Sequence, residues 1–403
     1  MNDILVVLRA EDAVVDFLSL LAPAGGTATR VLLCDTGETL SFAAGTGSAE
    51  RLTALAARVR PADGSAASPG TAGLTERLRR LGADGGTRVW THSPADTRRS
   101  RGRVGRDTAL AADTLGLPVR HAVGHSPYLQ FVSDLDHPLG RRECAAKLRF
   151  VNTHCAHLLD SDSPEHLLTT GRVPATERFF ASGAEERERL YALMASLDDE
   201  AAAVPDPWEF ATSPYEQRRL DATTAWIART LSPGDGRLVE VGACEGALTA
   251  RLLDKGYDVA ATEPNPAFRE RLARQVRSDR LGVHAHGLED LAGGGNGGDE
   301  GGGGEDGGGA GGGGLPGAAY LLIEMLYYGQ DPGLLDTLPT DLVLVALEPE
   351  ALDARLRPWL DGNGVWECAG ETVLVRPALE AVCGGRAHLR KRGSTGLVLR
   401  RRA

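Results

Sequence analysis

The sequence predicts an α/β protein built of two three-layer α/β domains, and three observations predict it. Short apolar runs alternate with helical patterns in both halves of the chain, which is the mark of βαβ units around a parallel sheet. The length, 403 residues, exceeds what one hydrophobic core usually serves. Between the halves, a charged helical segment from Ala184 to Glu200 gives way to a stretch with two prolines, Ala201 to Thr212, a natural place for a domain boundary.

In the first half, strands are predicted at Ile4 to Val7, Arg30 to Cys34, Arg88 to Thr91 and Pro118 to Val123, with helices near Asp12 to Leu21, Ala49 to Arg58 and Val104 to Leu115. Arg60 to Gly73 is rich in Pro, Gly, Ala and Ser and reads as a loop. The second half opens on a clear helix start. Ser213 can cap, Pro214 occupies the first helical position and Glu216 lies three residues after the cap; Leu220, Thr224, Ile227 and Leu231 then recur at helical spacing. A strand at Leu238 to Val241, a helix after Gly246 and a strand at Asp258 to Thr262 repeat the β-α-β pattern. Gly293 to Gly314 is nearly all glycine. Such a composition buries too little apolar surface to offset chain entropy, so a disordered insertion is predicted between Val283 to Asp290 and the strand Ala319 to Ile323. Asp341 to Leu347, Glu371 to Arg376 and Gly396 to Arg400 complete the strand pattern.

Composition narrows the function classes. Hydrophobic residues make up 42% and charged residues 25%, an ordinary globular balance, and no apolar run approaches the roughly 20 residues that span a bilayer. The first residues show no basic region and no cleavage site, so a soluble, cytoplasmic protein without a membrane partner is expected. Six cysteines lie scattered without a CxxC pair and read as reduced thiols rather than disulfide or zinc partners. A net charge of −11 argues against nucleic acid as a partner. The basic stretches Arg98 to Arg106 and Arg386 to Arg402 read as a solvated face and a terminal strand.

The sharpest local signal is VEVGACEGALT, Val239 to Thr249, an apolar strand ending in Glu240-Val-Gly242 and leading through Gly246 into a helix. Glycines at such a corner let the backbone turn sharply and approach a ligand closely. Glu263 follows at the end of the next strand, about where a ribose-binding carboxylate is expected. The turn lacks the GxGxxG fingerprint of dinucleotide sites, and Glu240 suits a cationic ligand better than a pyrophosphate.

With SPYEQRRLDATTAWI at Ser213 to Ile227 and LLIEMLYY at Leu321 to Tyr328, this half resembles class I S-adenosylmethionine methyltransferases of the NodS-like group. That resemblance implies a Rossmann-like fold with a mostly parallel seven-stranded sheet, and S-adenosyl-L-methionine as cofactor. It places Glu240, Gly242, Ala243 and Gly246 around the methionine portion, Glu263 with Pro264 at the ribose, and Leu288 and Glu289 near the adenine. Tyr215 would cover the cofactor, Glu324 would accept a proton from or orient the acceptor, and Tyr327 and Tyr328 would wall the methyl channel. Amino groups of sugars are the acceptors of that group, so an amino sugar or glycosylated natural product is the implied small-molecule acceptor.

Residues 1–183 resemble, more weakly, the PIG-L/LmbE-type zinc deacetylases, through ILVV at Ile4 to Val7, LLCDTGE at Leu32 to Glu38 and VWTHSPADTRRSRGRVGR at Val89 to Arg106. Laid on that family's pattern, Ala10, Ala13, Arg98 and Arg101 stand where metal ligands belong, while Asp12, His92 and Asp96 survive. An alanine methyl cannot coordinate zinc and a guanidinium repels it, so no metal is expected there. His121, His125, Asp134, Asp136 and His137 form the alternative place for a relocated site. The expected organisation is a deacetylase-like domain over 1–183, a helix and linker over 184–212, and a methyltransferase domain over 213–403 interrupted by 293–314. The first domain would be a structural, substrate-presenting or oligomerising module, the last making a homo-oligomer. The alternatives are a bifunctional N-deacetylase/N-methyltransferase and a non-catalytic binding protein.

Overall fold

The computed structural model describes residues 2–22, 28–60, 68–123, 129–159, 175–195, 199–293, 314–326 and 330–403. The chain divides into two units, Met1–Ala201 with Ala381–Leu389, and Ala202–Glu380 with Arg390–Ala403. The sequence reading ends its first domain earlier and assigns everything after residue 212 to the second.

The first unit holds strands β1 (Asn2–Val7), β2 (Thr29–Leu33), β3 (Thr39–Phe42), β4 (Thr87–Thr91), β5 (Val119–Ala122), β6 (Leu129–Phe131), β7 (Leu135–Pro138) and β8 (Thr176–Phe180). Its helices are α1 (Ala10–Leu21), α2 (Ser48–Ala56), α3 (Gly70–Arg80), α4 (Arg99–Thr114), α5 (Arg141–His154) and α6 (Ala184–Ala195). Among the described residues the main sheet runs β3-β2-β1-β4-β5-β8-β7. Strands β2, β1, β4 and β5 are parallel, and β3, β8 and β7 join antiparallel. Two apolar cores cover the two faces, one gathering Phe17, Leu55, Trp90, Phe150 and Phe179, the other Leu74, Leu78, Val89, Val104 and Ala111, as a largely parallel sheet requires. Helix α3 occupies part of the stretch read as a loop: its Leu74 and Leu78, four apart, are fully buried, and two core contacts suffice to seat a helix whose flanks look like linker. Helix α6 belongs to this unit because Leu190, Leu193 and Met194 bury against Phe131, Phe180, Val382 and Ala387.

The second unit continues with α7 (Pro214–Thr230), β9 (Leu238–Val241), α8 (Ala247–Asp254), β10 (Val259–Thr262), α9 (Pro266–Gln275), β11 (Leu281–His284) and α10 (Leu288–Ala292). It ends on β12 (Ala319–Ile323), β13 (Leu342–Leu347), β14 (Trp366–Val375), β15 (Ala378–Val382), β16 (Ala387–Lys391) and β17 (Ser394–Arg401), of which residues 381–389 group with the first unit. Among the described residues its seven-stranded sheet runs β11-β10-β9-β12-β13-β17-β14. The first five strands are parallel and β17 inserts antiparallel between β13 and β14, which is the mostly parallel, Rossmann-like sheet the sequence predicts. Every residue of β9, β10 and β13 is buried, because helices cover both faces of a parallel sheet. Ser213 caps α7 as predicted, accepting from the Glu216 N–H at 3.2 Å, with Pro214 in the first turn.

Residues 294–313 of the glycine-rich stretch, Tyr327, Tyr328 and His125 lie outside the described residues. Among the described residues no helix is long and apolar enough to cross a membrane.

Candidate functional site

In the second sheet the strand order reverses between β9 and β12, since β9 leads outward to β10 and β12 leads the other way to β13. Ligands of open α/β sheets bind in the crevice outside the carboxyl ends at such a reversal. Glu240 lies one residue before the end of β9, Glu263 follows β10 directly and Glu324 follows β12 directly.

The corner after β9 is built for close approach. The Gly242 and Ala243 N–H groups both donate to the Thr262 carbonyl at 2.9 Å, tying the corner to the end of β10. Gly246 caps α8 at φ +85°, and a Cβ there would stand 2.9 Å from both Leu272 and Val276; only glycine meets both demands. Cys244 lies between them at φ +50°, a left-handed conformation costly for a side chain with a Cβ. Its N–H donates to Glu263 Oε2 at 2.9 Å, and the Asn265 N–H donates to Oε1 at 2.8 Å. Burial raises the Glu263 carboxyl, while those two N–H groups and Arg269 pull it back down. Asn265 caps α9 by accepting from the Ala267 N–H, so the acidic residue is fixed at the junction of strand and helix.

Glu240 is 4% exposed, and Thr249 Oγ1 donates to its Oε2 at 2.6 Å. Burial pushes its carboxyl up to about 7, with the Thr249 hydroxyl the single opposing influence. A desolvated carboxyl with so little compensation is a ready partner for a cation, because a bound positive charge supplies what the protein withholds.

Glu324 takes φ +55° and its N–H donates to the Ala346 carbonyl at 2.8 Å. Ser394 Oγ donates to Glu324 Oε1 at 2.5 Å and Arg219 Nη1 lies 3.6 Å from the same oxygen. Burial pushes this carboxyl too up to about 7, against Arg219 and Ser394. The next residue, Met325, abuts the glycine corner, since a Cβ on Gly242 would stand 3.9 Å from it. Tyr215 is buried at the start of α7, where burial pushes its hydroxyl up to about 12 and Glu216, Arg219 and Glu324 act on it; it stands with the Glu324 group. Ala243 packs into one core and Leu288 into another, whereas Pro264 and Glu289 are exposed. Thr249, Arg219 and Ser394 were not singled out from the sequence; the spacing of Arg219 from Glu216, one helical turn, is a signal for Arg219 alone.

The first sheet reverses order between β1 and β4, and there Asp12, His92, Asp96, Arg98 and Arg101 come together. Asp12 is fully buried; its Oδ2 accepts from the Arg9 N–H at 3.0 Å and its Oδ1 from Arg101 Nε at 2.7 Å. His92 Nε2 lies 3.5 Å and Arg98 Nη1 3.7 Å from the same carboxylate, and Asp96 holds the Arg98 guanidinium at 2.9 Å. Burial alone would raise Asp12, but Arg101, His92 and Arg98 together hold it well below the usual carboxylate range. This site does not fit a divalent cation, because guanidinium groups already satisfy its carboxylates. It also corrects the reading of Arg98 to Arg106 as a solvated face: Arg101 is 0% and Arg98 8% exposed. The alternative cluster does not converge. His121 Nδ1 meets the His92 carbonyl at 2.8 Å and burial pushes the ring down to about 4, Asp134 pairs with Arg386, and His137 meets Ser19. Among the described residues no three His, Cys, Asp or Glu side chains gather as metal ligands would.

Comparison with protein-family models and with curated proteins finds no match. Among solved structures, the chain is similar to the N-methyltransferase NodS from Bradyrhizobium japonicum in complex with S-adenosyl-L-homocysteine, at 12% identity over 50% of this chain and 95% of that one, with a TM-score of 0.35. It is similar also to the magnesium protoporphyrin IX methyltransferase ChlM from Synechocystis PCC 6803 with bound SAM, at 14% identity over 46% of this chain and 79% of that one, TM-score 0.32. A third is the tRNA (m1A58) methyltransferase TrmI from Aquifex aeolicus, at 12% identity over 46% and 69%, TM-score 0.31.

Proposed function

We propose that the second unit is an S-adenosylmethionine-dependent methyltransferase that acts on the amino group of a small molecule, an amino sugar or glycosylated natural product. The observation that carries this reading is the pair of buried carboxyls, Glu240 on β9 and Glu263 directly after the adjacent parallel strand β10, beside a left-handed glycine corner.

The residues fit the donor. Glu240 would hold its ammonium group, Glu263 would accept from the ribose hydroxyls, and Gly242, where a Cβ would meet nothing nearer than Met325 at 3.9 Å, would let the donor approach the backbone. When bound, the donor supplies a methyl group on a sulfonium, open to in-line displacement. The chain's own part is alignment and proton handling. Glu324, held near neutrality by its burial, would accept the proton of an acceptor amine. An amine fits a sheet edge that carries Glu240, Glu263 and Glu324 at or beside the carboxyl ends of β9, β10 and β12 better than a phosphate-bearing polymer does.

The bifunctional alternative needs an electrophile in the first unit. Asp12 faces the guanidinium groups of Arg101 and Arg98, where hydrolysis would need a metal electrophile, and a structural or substrate-presenting role for that unit agrees better with the geometry.

The test is incubation of the full chain with donor carrying an isotopically labelled methyl group and a panel of amine, hydroxyl and carboxylate acceptors, read by mass spectrometry. Label on an amine, lost in Glu324→Gln, is the expected result. Label on no amine, at millimolar donor, contradicts the reading.

A further inference from the structure

The Glu324 carboxyl is held from two elements that enter the second unit far apart in sequence. Ser394, the first residue of β17, is 0% exposed and its hydroxyl donates to Oε1. Arg219, in the second turn of α7, reaches the same oxygen with Nη1. Arg219 is itself fixed: its Nε donates to Glu216 Oε2 at 2.7 Å, and Lys391 Nζ donates to Glu216 Oε1 at 2.8 Å. Beyond β13, Glu348 also acts on Glu324 and is paired with Arg392 at 2.8 Å. Ser394 and Arg219 thus both meet the carboxyl at Oε1.

Two features go beyond ordinary packing. The Glu324 backbone adopts the left-handed conformation, which a residue with a Cβ keeps only where the surroundings fix it. The hydroxyl of a buried serine is spent on one carboxyl oxygen of a residue standing at the sheet's order reversal, where orientation matters for chemistry.

We propose, resting on the methyltransferase reading above, that Ser394 and Arg219 are positioning residues: they clamp Oε1 of Glu324 so that Oε2 is left to receive the acceptor's proton. As the acceptor nitrogen forms its bond to the methyl carbon and the carbon–sulfur bond of the donor breaks, the proton leaves nitrogen for Oε2 and passes from there to solvent. Both clamps favour the ionised carboxyl, so removing either raises the pH at which Glu324 gives up its proton.

The experiment uses the full chain carrying 13C-labelled glutamate carboxyls, in wild type, Ser394→Ala, Ser394→Thr and Arg219→Gln, with Glu324→Gln to identify the resonance. The titration midpoint of Glu324 rises by about one pH unit in Ser394→Ala and in Arg219→Gln, and returns towards wild type in Ser394→Thr, which keeps the hydroxyl. The acidic limb of kcat against pH, measured with labelled donor and glucosamine as the probe acceptor, moves by the same amount while donor affinity stays level. A midpoint that does not move in Ser394→Ala or Arg219→Gln overturns the proposal. If the wild type methylates no amine, the methyltransferase reading fails on that result, and the carboxyl titration still decides whether Ser394 and Arg219 hold Glu324.

Discussion

Where the first sheet reverses its strand order, the buried carboxylate Asp12 meets a backbone N–H and two guanidinium groups; where the second reverses, the buried carboxyl of Glu240 meets one threonine hydroxyl. The same topological position therefore carries opposite electrostatics. Asp12 is held well below the usual carboxylate range and Glu240 is pushed up to about 7. A buried acid whose charge the protein itself compensates is a finished piece of structure. One left uncompensated carries, when ionised, a desolvation cost that a proton or a bound cation removes. That contrast supports the proposed donor site at the second edge.

The largest effect that would break the contrast lies in the first unit. Arg101→Ala leaves Asp12 buried without its closest cation, and stability falls by about 3–5 kcal/mol, measured by urea unfolding. Replacing both partners, Arg101→Met with Asp12→Asn, recovers most of that loss. A loss below 1 kcal/mol for the single change would show that the pair is not the compensation described.

In the second unit Glu240→Gln has the reverse signature. Donor affinity drops by about 1.5–3 kcal/mol, the worth of a hydrogen bond to a charged group, while stability at pH 8 holds or rises because a buried charge has gone. Calorimetry and thermal unfolding read the two sides, and a protein that loses stability without losing affinity contradicts the assignment.

The dependence on pH sharpens the same comparison. Glu240 and Glu324 have folded-state values raised to about 7, so the folded state binds more protons than the unfolded one between the ordinary glutamate range and 7. Their contribution to stability is fully present below that range and is lost as pH rises through about 7. Asp12 is depressed, so its contribution is present above the ordinary aspartate range and is lost as pH falls towards its lower folded value. Unfolding of the whole chain followed across pH should show the acid-side loss vanish in Asp12→Asn and the neutral-side loss shrink in Glu240→Gln. The smallest effect is local: Ser213→Ala removes the cap of α7 and costs about 1 kcal/mol, with Glu380 losing the hydroxyl that donates to it.

How far the sequence could be read follows from the same physics. The glycine corner, Glu240 and Glu263 were legible because a β-α-β unit places them at fixed spacings along one stretch of chain. The central parallel strands were legible because burial on both faces makes them continuous apolar runs. The antiparallel strands β3, β7 and β8 were not, being four or five residues long with polar positions among them. Arg219 and Ser394 were illegible as partners of Glu324, since only folding brings α7 and β17 to the end of β12. In the first half, the sequence showed the arginine-rich stretch Arg98 to Arg106. That Arg98 and Arg101 turn inward and neutralise Asp12 shows only once α1 and α4, which follow β1 and β4, bring those side chains together.

The most direct test is calorimetric titration of S-adenosylmethionine into the full chain at pH 7, in two buffers of different ionisation enthalpy. A cation bound beside Glu240 favours its ionised form, so binding should release about half a proton per site at pH 7, and the release should disappear in Glu240→Gln. Binding without proton release, or no binding at millimolar donor, would contradict the account.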